Sequence, residues 1–310
     1  MKRLIFLLLG GVAAAALNAA AAPVKRADLP AHPAWVLHFD CDALRQTFLG
    51  KYLVYQMDKP ELYSNMIAFQ SIFSFDLRTQ LHGITVYADN VTPTNNVVIV
   101  YADFDPDHII KLFQGSEAAK TITTDRGVIY SWIDATKKTG DNGPRKFAVV
   151  QPGRLITSMD KESVIAARSV IDGTAPNLAS SKAFPELEAA GDATFLQIAA
   201  DKMNFLGSEP NVALLKMSRH LKFQAGESQE QLSAVLSLDV GDENRARQMF
   251  FISQGLIAML SLQPDCPKAA KLAGGLSVKQ DHGALAVTLS VPSLDLIAAI
   301  KEHNTKKEKP

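Results

Sequence analysis

The stretch that decides the fold runs from residue 84 to residue 107. It holds Ile84-Thr85-Val86-Tyr87, a polar turn at 89–96, and Val97-Val98-Ile99-Val100-Tyr101. β-Branched and aromatic residues on both sides of a polar turn predict two strands joined as a hairpin. Asp105-Pro106-Asp107 then supplies an N-cap, a proline at the first helical position and an early acid. The stretch therefore predicts two antiparallel strands followed by a helix.

The chain on both sides of this stretch continues the pattern. Trp35-Val36-Leu37-His38-Phe39 predicts an earlier strand, and helices are expected near 42–57 and 61–73. Downstream, two strands flank Asp125-Arg126-Gly127, and a further hairpin turns at Gln151-Pro152-Gly153. Asp160 is expected to cap a helix that ends before Gly173. Residues 35–173 therefore form a first α+β half, and 174–191, rich in Ala, Ser and Pro, are predicted to be a linker.

The second half, residues 192–303, repeats this order. Thr194-Phe195-Leu196-Gln197-Ile198 matches the strand at Trp35, and Asp242 opens a helix where Asp105 opened one. Asp281-His282-Gly283 is the expected counterpart of Asp125-Arg126-Gly127, and a closing helix follows from Ser293. The predicted fold class is α+β: two similar, mainly antiparallel halves of ββαββα type, with helices on one face of the sheet. A chance likeness between the halves is the alternative.

The beginning of the chain has the pattern of a secretion signal. Met1-Lys2-Arg3 is followed by an apolar run at 4–9 and a stretch of small residues from Gly10 to Ala22. A basic head, an apolar middle and an A-x-A tail predict a signal peptide at 1–22 and an exported, periplasmic or extracellular protein. A retained membrane anchor is the alternative. Residues 23–34 are predicted to be a flexible leader and 304–310 a charged tail.

The charge balance bears on possible partners. The chain has 32 basic and 32 acidic residues, and removal of Lys2 and Arg3 leaves 30 against 32. A net charge near −2 gives no electrostatic reason to bind nucleic acid or anionic lipid. No second apolar segment is long enough to span a membrane, so no membrane span is expected after cleavage of the signal.

The chain has two cysteines, Cys41 and Cys266. In an oxidising compartment an even pair suggests a disulfide, which would join the beginning of the chain to its end. Two separate thiols are the alternative, since a buried cysteine also behaves as a small apolar residue.

A search for catalytic motifs finds two fragments. Ser158-Met159-Asp160-Lys161 and Lys138-Thr139-Gly140 resemble elements of penicillin-recognising enzymes, but their order is reversed and the S-D-N element is absent. Helix capping by Asp160 and loop chemistry explain both fragments. G-x-S-x-G, G-x-x-x-x-G-K-[ST], G-x-G-x-x-G and H-E-x-x-H are also absent. The sequence therefore predicts no catalytic or cofactor-binding residue.

The histidines lack the spacing of a metal site. They are interpreted as ordinary surface or boundary residues: His32, His38, His82, His108, His220, His282 and His303. The acid pairs Asp103/Asp105 and Asp239/Asp242 lie where strands lead into helices, so capping is preferred over metal binding or acid–base catalysis. No metal ligand and no cofactor is predicted.

The helix after Asp242 is apolar nearly all round, with Met249-Phe250-Phe251-Ile252 and Leu256-Ile257-Ala258-Met259-Leu260. Burial in the core is the expectation, because the helix must cover a sheet. An interface for a partner or for lipid is the alternative.

Four segments together carry a resemblance to a known group: Phe104-Asp105-Pro106-Asp107, Ser158 to Gly173, Gly241 to Leu260, and Leu276 to Pro292. They resemble uncharacterised bacterial exported proteins with a signal peptide and two α+β halves. That resemblance implies a fold and a compartment, and brings no catalytic residues. The predicted function is a non-catalytic binding or scaffolding protein of the periplasm or envelope, with a protein or envelope component as partner. A hydrolase whose site is assembled from distant residues is the alternative.

Overall fold

The computed structural model describes residues 23–89, 95–116, 118–133, 144–188, 193–201, 213–262 and 271–307. The predicted signal peptide at 1–22 lies outside these ranges. The described chain is built around one sheet in which neighbouring strands are antiparallel. The α+β class with a mainly antiparallel sheet is therefore confirmed.

Twelve strands form this sheet in the order β11-β12-β10-β9-β8-β1-β2-β3-β7-β6-β5-β4. Their bounds are β1 Trp35–Asp40, β2 Leu81–Ala88, β3 Val97–Ala102, β4 Lys120–Thr124, β5 Gly127–Ile133, β6 Arg145–Gln151, β7 Arg154–Ser158, β8 Thr194–Asp201, β9 His220–Ser228, β10 Gln231–Asp239, β11 Leu276–Asp281 and β12 Ala284–Pro292.

The two halves meet in the middle of the sheet, where β1 pairs with β8 from Trp35 opposite Ala200 to Phe39 opposite Leu196. Moving outward, β1-β2-β3-β7-β6 and β8-β9-β10-β12-β11 follow the same order. The turn at Asp281-His282-Gly283 therefore corresponds to Gln151-Pro152-Gly153, and the expected match with Asp125-Arg126-Gly127 is wrong. The additional hairpin of the first half is β4–β5, which extends one edge of the sheet.

The helices begin mostly where the sequence predicts. Their bounds are α1 Cys41–Gln46, α2 Phe48–Met57, α3 Pro60–Phe73, α4 Pro106–Gln114, α5 Lys161–Ile171, α6 Ala213–Lys216, α7 Glu243–Ser261 and α8 Ser293–Lys307. Asp105, Asp160 and Asp242 each accept a hydrogen bond from a backbone N–H in the first helical turn. The single helix expected over 42–57 is two helices, because Thr47 ends α1 and caps α2 through the N–H of Gly50.

Side chains alternate between the two faces of the sheet, which shows where the helices lie. Val149 and Ile156 pack in one cluster with Val164 of α5. The adjacent Val150 and Leu155 pack in another cluster with Ile109 of α4, so they point to the opposite face. By the same alternation α1–α4, α7 and α8 share one face. The expected placement of helices on one face holds for these six, and α5 is the exception.

The predicted flexible leader packs onto the face that carries α5. Arg26 is buried and donates to the carbonyl of Leu178 at 2.9 Å, while Leu29 has no exposed surface. Asp28 accepts hydrogen bonds from Tyr101 and Arg154, each at 3.0 Å. Residues around 24–29 and the predicted linker at Leu178 therefore contribute to the core on this face of β3 and β7. The buried charges of Arg26 and Asp28 are accommodated there because they are paired.

The long helix α7 differs from the expectation of core burial. Ala246 and Met249 are buried, but Phe251, Leu256 and Met259 are exposed, with 62%, 51% and 68% of their surface accessible. The helix is therefore buried near its start, and the described residues of its later turns expose large apolar side chains.

Candidate functional site

A cavity of about 260 Å³ lies between α3, α4 and the sheet. All of its lining side chains are apolar: Phe69, Phe73, Phe75, Leu77, Leu81, Ile84, Val100, Phe104, Ile109, Leu112, Phe113 and Leu155. Ligand pockets usually combine such a lining with a few polar groups that fix orientation. This lining has none, so the cavity offers a ligand no hydrogen-bonding or charged side chain.

The floor of the cavity is formed by three neighbouring strands. Ile84 of β2 lies opposite Val100 of β3, and Val100 lies opposite Leu155 of β7. Residues opposite one another on adjacent strands point to the same face, so the three side chains form one apolar row. The hairpin that decides the fold therefore also supplies the floor.

One wall comes from α4. Ile109, Leu112 and Phe113 follow the i, i+3, i+4 spacing that puts side chains on one helical face. Asp105 fixes the beginning of the helix by accepting the N–H of Asp107 at 3.0 Å. The N-cap predicted at Asp105 therefore also determines which residues of α4 face the cavity.

The other wall is a group of aromatic rings that belong to α3 and to the segments after α3 and after β3. Phe69 stacks on Phe73 with ring centroids 4.5 Å apart and meets Phe75 edge to face at 5.2 Å. Phe75 in turn lies 6.3 Å from Phe104. Such ring pairs contribute about 0.5–1.5 kcal/mol beyond the area that they bury. The rings hold α3 over the sheet although this helix has no fully buried residue.

Polar contacts hold α3 at its two ends. His108 of α4 donates through Nε2 to the carbonyl of Ile72 at 2.7 Å. Arg78, which follows α3, pairs with Asp58 just before the helix and with Asp76 just after it. The hydrogen bond from Arg78 holds the pKa of Asp76 below its usual range. The sequence treated His108 as an ordinary boundary residue, but in the structure it links the two helices of the cavity.

A histidine next to the cavity-lining Leu81 has both ring nitrogens occupied. His82 Nδ1 lies 3.0 Å from Asp42, and Nε2 lies 3.0 Å from Asp103. Burial lowers the pKa of His82, but the two carboxylates raise it more, so the net shift is upward. A histidine held in this way joins α1 to the end of β3 and offers no free nitrogen as a general base.

The second half has a matching arrangement at the start of β9. His220 lies 2.9 Å from Glu186 through Nε2 and 2.7 Å from Asp201 through Nδ1. The contact with the Glu186 carboxylate is the main cause that raises the pKa of His220 to about 9. The Asp201 carboxylate also raises this pKa, whereas burial lowers it. Neither arrangement is visible in the spacing of the histidines, because the carboxylates come from other segments of the chain.

His38 is not a surface or boundary residue as predicted. It is 1% exposed, and its Nδ1 lies 2.9 Å from the hydroxyl of Thr85, directly opposite on β2. Its position on the inner face of β1 follows from strand alternation, which the sequence pattern could have indicated.

The fragments that resembled a penicillin-recognising enzyme do not form a site. The hydroxyl of Ser158 accepts the N–H of Asp160 at 3.1 Å, and Lys161 pairs with Glu162. Asp160 accepts the N–H of Ser163 at 2.8 Å, so the predicted cap is confirmed. Lys138-Thr139-Gly140 lies outside the described residues.

The acid pairs divide between two roles. Asp105 and Asp242 cap helices as expected. Asp103 instead pairs with His82, and Asp239 pairs with Arg219 at 3.2 Å, so capping is the wrong interpretation for these two. Within the described ranges, no group of three His, Cys, Asp or Glu side chains could hold a metal ion.

Cys41 is buried at the start of α1, and burial raises the pKa of its thiol to about 11. A thiol with this pKa stays protonated at neutral pH and is a poor nucleophile. Cys266 lies outside the described residues, so the proposed pairing of Cys41 with Cys266 stays a prediction.

In the part of the chain that the structure describes, no helix has both the length and the hydropathy needed to cross a membrane.

Comparison with known proteins yields distant structural likeness only. No family model matches the chain, and no curated protein matches it. Crystal form III of TP0453 matches with a TM-score of 0.48 and 10% identity, over 90% of this chain and 99% of that one. Crystal form I matches with a TM-score of 0.48 and 9% identity, over 91% and 98%.

Proposed function

We propose that the chain is an exported, non-catalytic binding protein whose cavity takes up the hydrocarbon part of a lipid-like envelope component. The observation that carries the proposal is the cavity between α3, α4 and the sheet, in which every lining side chain is apolar. Apolar cavities stay dry and bind apolar ligands, whereas catalysis requires polar groups near the reacting atoms.

The size of the cavity limits the ligand. An engineered apolar cavity of about 150 Å³ holds benzene, so about 260 Å³ accommodates roughly ten carbon atoms. That volume suits one hydrocarbon chain of medium length, or the end of a longer one.

The cost of the cavity also favours a function in binding. An unfilled apolar volume lowers stability, because its lining side chains lose the contacts that closer packing would give them. Ligand binding is a physical reason to maintain such a volume where better packing would stabilise the fold.

The alternative of a hydrolase gains no support from the two bridged histidines. Both ring nitrogens of His82 and of His220 contact carboxylates. A general base needs a nitrogen within reach of the proton that it removes.

The test is a titration with a dansyl-labelled undecanoic acid, followed by displacement with unlabelled decanol and decanoate. We expect saturable binding, displaced by either compound, because the lining distinguishes chains and not head groups. Val100→Trp places a larger side chain on the cavity floor and should weaken binding of the probe at least tenfold.

The matched control is Val98→Trp. Val98 lies two residues earlier on the same strand and face, and it does not line the cavity. Leu112→Phe, which reduces the cavity from the side of α4, is a second variant in case Val100→Trp fails to fold. Absence of saturable binding, or equal weakening in Val98→Trp, would contradict the proposal.

A further inference from the structure

The later turns of α7 form an exposed apolar arm, defined here as residues 251–262. Six large apolar side chains of this arm are exposed: Phe251, Ile252, Leu256, Met259, Leu260 and Leu262. Of the whole arm, only Ser253 and Ile257 are even half-buried. Monomeric proteins rarely leave a contiguous apolar surface of this kind in water.

The arm also lacks charge. Arg247 is the last ionisable residue before it, and residues 248–262 contain none. A helix that lies on a membrane surface has a charged face, typically rich in Lys and Arg, opposite its apolar face. A helix that is apolar nearly all round is suited to burial within protein. The composition of the arm therefore favours a protein partner over a lipid surface.

The centre of the arm allows another helix to approach closely. A Cβ atom added at Gly255 would have no neighbouring atom within 4 Å. Phe251 and Met259 stand four residues before and after this glycine, on the same side of the helix as Gly255. In an antiparallel pair of identical helices crossing at Gly255, Phe251 of each copy would meet Met259 of the other. Aromatic rings and thioethers make favourable contacts.

We propose that the arm is the contact surface between two copies of this chain, arranged as a two-fold symmetric, antiparallel pair of α7 helices. A symmetric contact requires a surface that is complementary to itself. An uncharged arm meets this requirement, because no like charges are brought together when two copies pair. This contact is independent of the cavity, since no residue of α7 lines it.

The available area is sufficient for a specific contact. The six exposed side chains offer roughly 600 Å² per copy, taking about 150–200 Å² for a fully exposed large apolar side chain. Stable interfaces bury about 800 Å² per partner, so the six side chains alone supply roughly three quarters of that area. The exposed apolar area of the arm is therefore close to that of a standard interface.

The test is sedimentation velocity of the complete exported chain at roughly 1–100 µM. The proposal expects a concentration-dependent dimer. Leu256→Glu and Met259→Glu should each weaken dimerisation at least tenfold, because each places a charge inside the contact. Leu294→Glu is the matched control: Leu294 is similarly exposed but lies on α8, and this variant should dimerise like the unmodified chain.

Gly255→Leu distinguishes weaker dimerisation from a loss of folding. The site has room for the side chain in one copy, and leucine favours helix more than glycine does, so the monomer should be at least as stable. Dimerisation should weaken, because the helices can no longer approach closely.

A chain that stays monomeric at the highest concentration overturns the proposal. A dimer that is unaffected by the α7 variants also overturns it, because the contact then lies elsewhere. Binding to neutral phosphatidylcholine vesicles that is lost in Leu256→Glu, without any dimer, would assign the arm to lipid.

Discussion

Helices α4 and α7 occupy the same place in the two halves but have different surroundings. Each follows the third strand of its half and begins with an aspartate cap, Asp105 or Asp242. α4 is nine residues long, and its apolar face lies under α3 and a group of aromatic rings. α7 has nineteen residues, and its large apolar side chains are largely exposed from Phe251 onward. The ten additional residues extend the helix by about 15 Å.

This difference shows that the apolar content of a helix does not determine what covers it. In the first half the cover is α3, which leaves the cavity between itself and the sheet. In the second half the connection between β8 and β9 is described from residue 213, where the short helix α6 contributes Leu215 to the cluster that holds Ala246 and Met249 of α7. The same position in the fold therefore gives a candidate binding cavity in one half and an exposed arm in the other.

The largest expected effect is the difference in stability loss between two isoleucine-to-alanine variants, one in α4 and one in α7. Ile109 of α4 is 2% exposed, and Ile252 of α7 is 48% exposed. Ile109→Ala should lower the free energy of unfolding by about 2–5 kcal/mol, because it removes buried methyl groups beside the cavity. Ile252→Ala should change it by less than about 0.5 kcal/mol. Urea unfolding at concentrations too low for association measures both, and equal losses would show that the arm is buried within a single copy.

The next largest effect concerns the aspartate N-caps, which α4 and α7 have in common. Asp105→Ala and Asp242→Ala should each destabilise the protein by about 1 kcal/mol, since each removes the acceptor for a backbone N–H in the first turn. Asp105→Asn and Asp242→Asn keep an acceptor and serve as controls that should lose much less. Thermal unfolding measures the four variants. A large loss at one cap and none at the other would mean that the two helix starts are not equivalent.

The smallest effect concerns the histidine of the second half. The pKa of His220 is raised from 6.5 to about 9 by Glu186 and Asp201, so the charged form is favoured in the folded state. Its contribution is fully present below about pH 6.5 and is lost as the pH rises through about 9.

Screening by solvent limits this contribution to about 0.5–1 kcal/mol, because the side chain is 32% exposed. Urea midpoints of the unmodified chain and of His220→Gln should converge as the pH rises from 6.5 to 9. A difference that stays constant across this range would mean that the charge on His220 does not contribute. His82→Gln provides the matched measurement for the first half.

The sequence was sufficient for local structure. The hairpin of β2 and β3, the caps at Asp105, Asp160 and Asp242, and the turn at Gln151-Pro152-Gly153 were all predicted from short-range signals. These features depend on residues within a few positions of one another, so a single chain reveals them.

The candidate site could not be predicted, because its residues come from separate segments. Phe69, Ile84, Val100 and Leu155 are indistinguishable in sequence from core residues, and only the placement of α3 leaves a volume between them. The bridged histidines depend on distant residues in the same way, since Glu186 precedes His220 by 34 positions. The exposure of α7 was not predicted, because an apolar sequence pattern indicates a preference for burial and does not show whether another element packs on the helix.

The pairing of β1 with β8 has a consequence for how the chain folds as it is made. Roughly 160 residues separate these partners, so β1 is synthesised long before the strand that completes its edge. At about 5–20 residues per second, the delay is roughly 8–32 s. During that time Trp35, Leu37 and Phe39 lie on an unpaired edge of the kind that aggregates readily. Strand β1 therefore keeps an unpaired edge until β8 has been made, a period much longer than its own half needs to pair its strands.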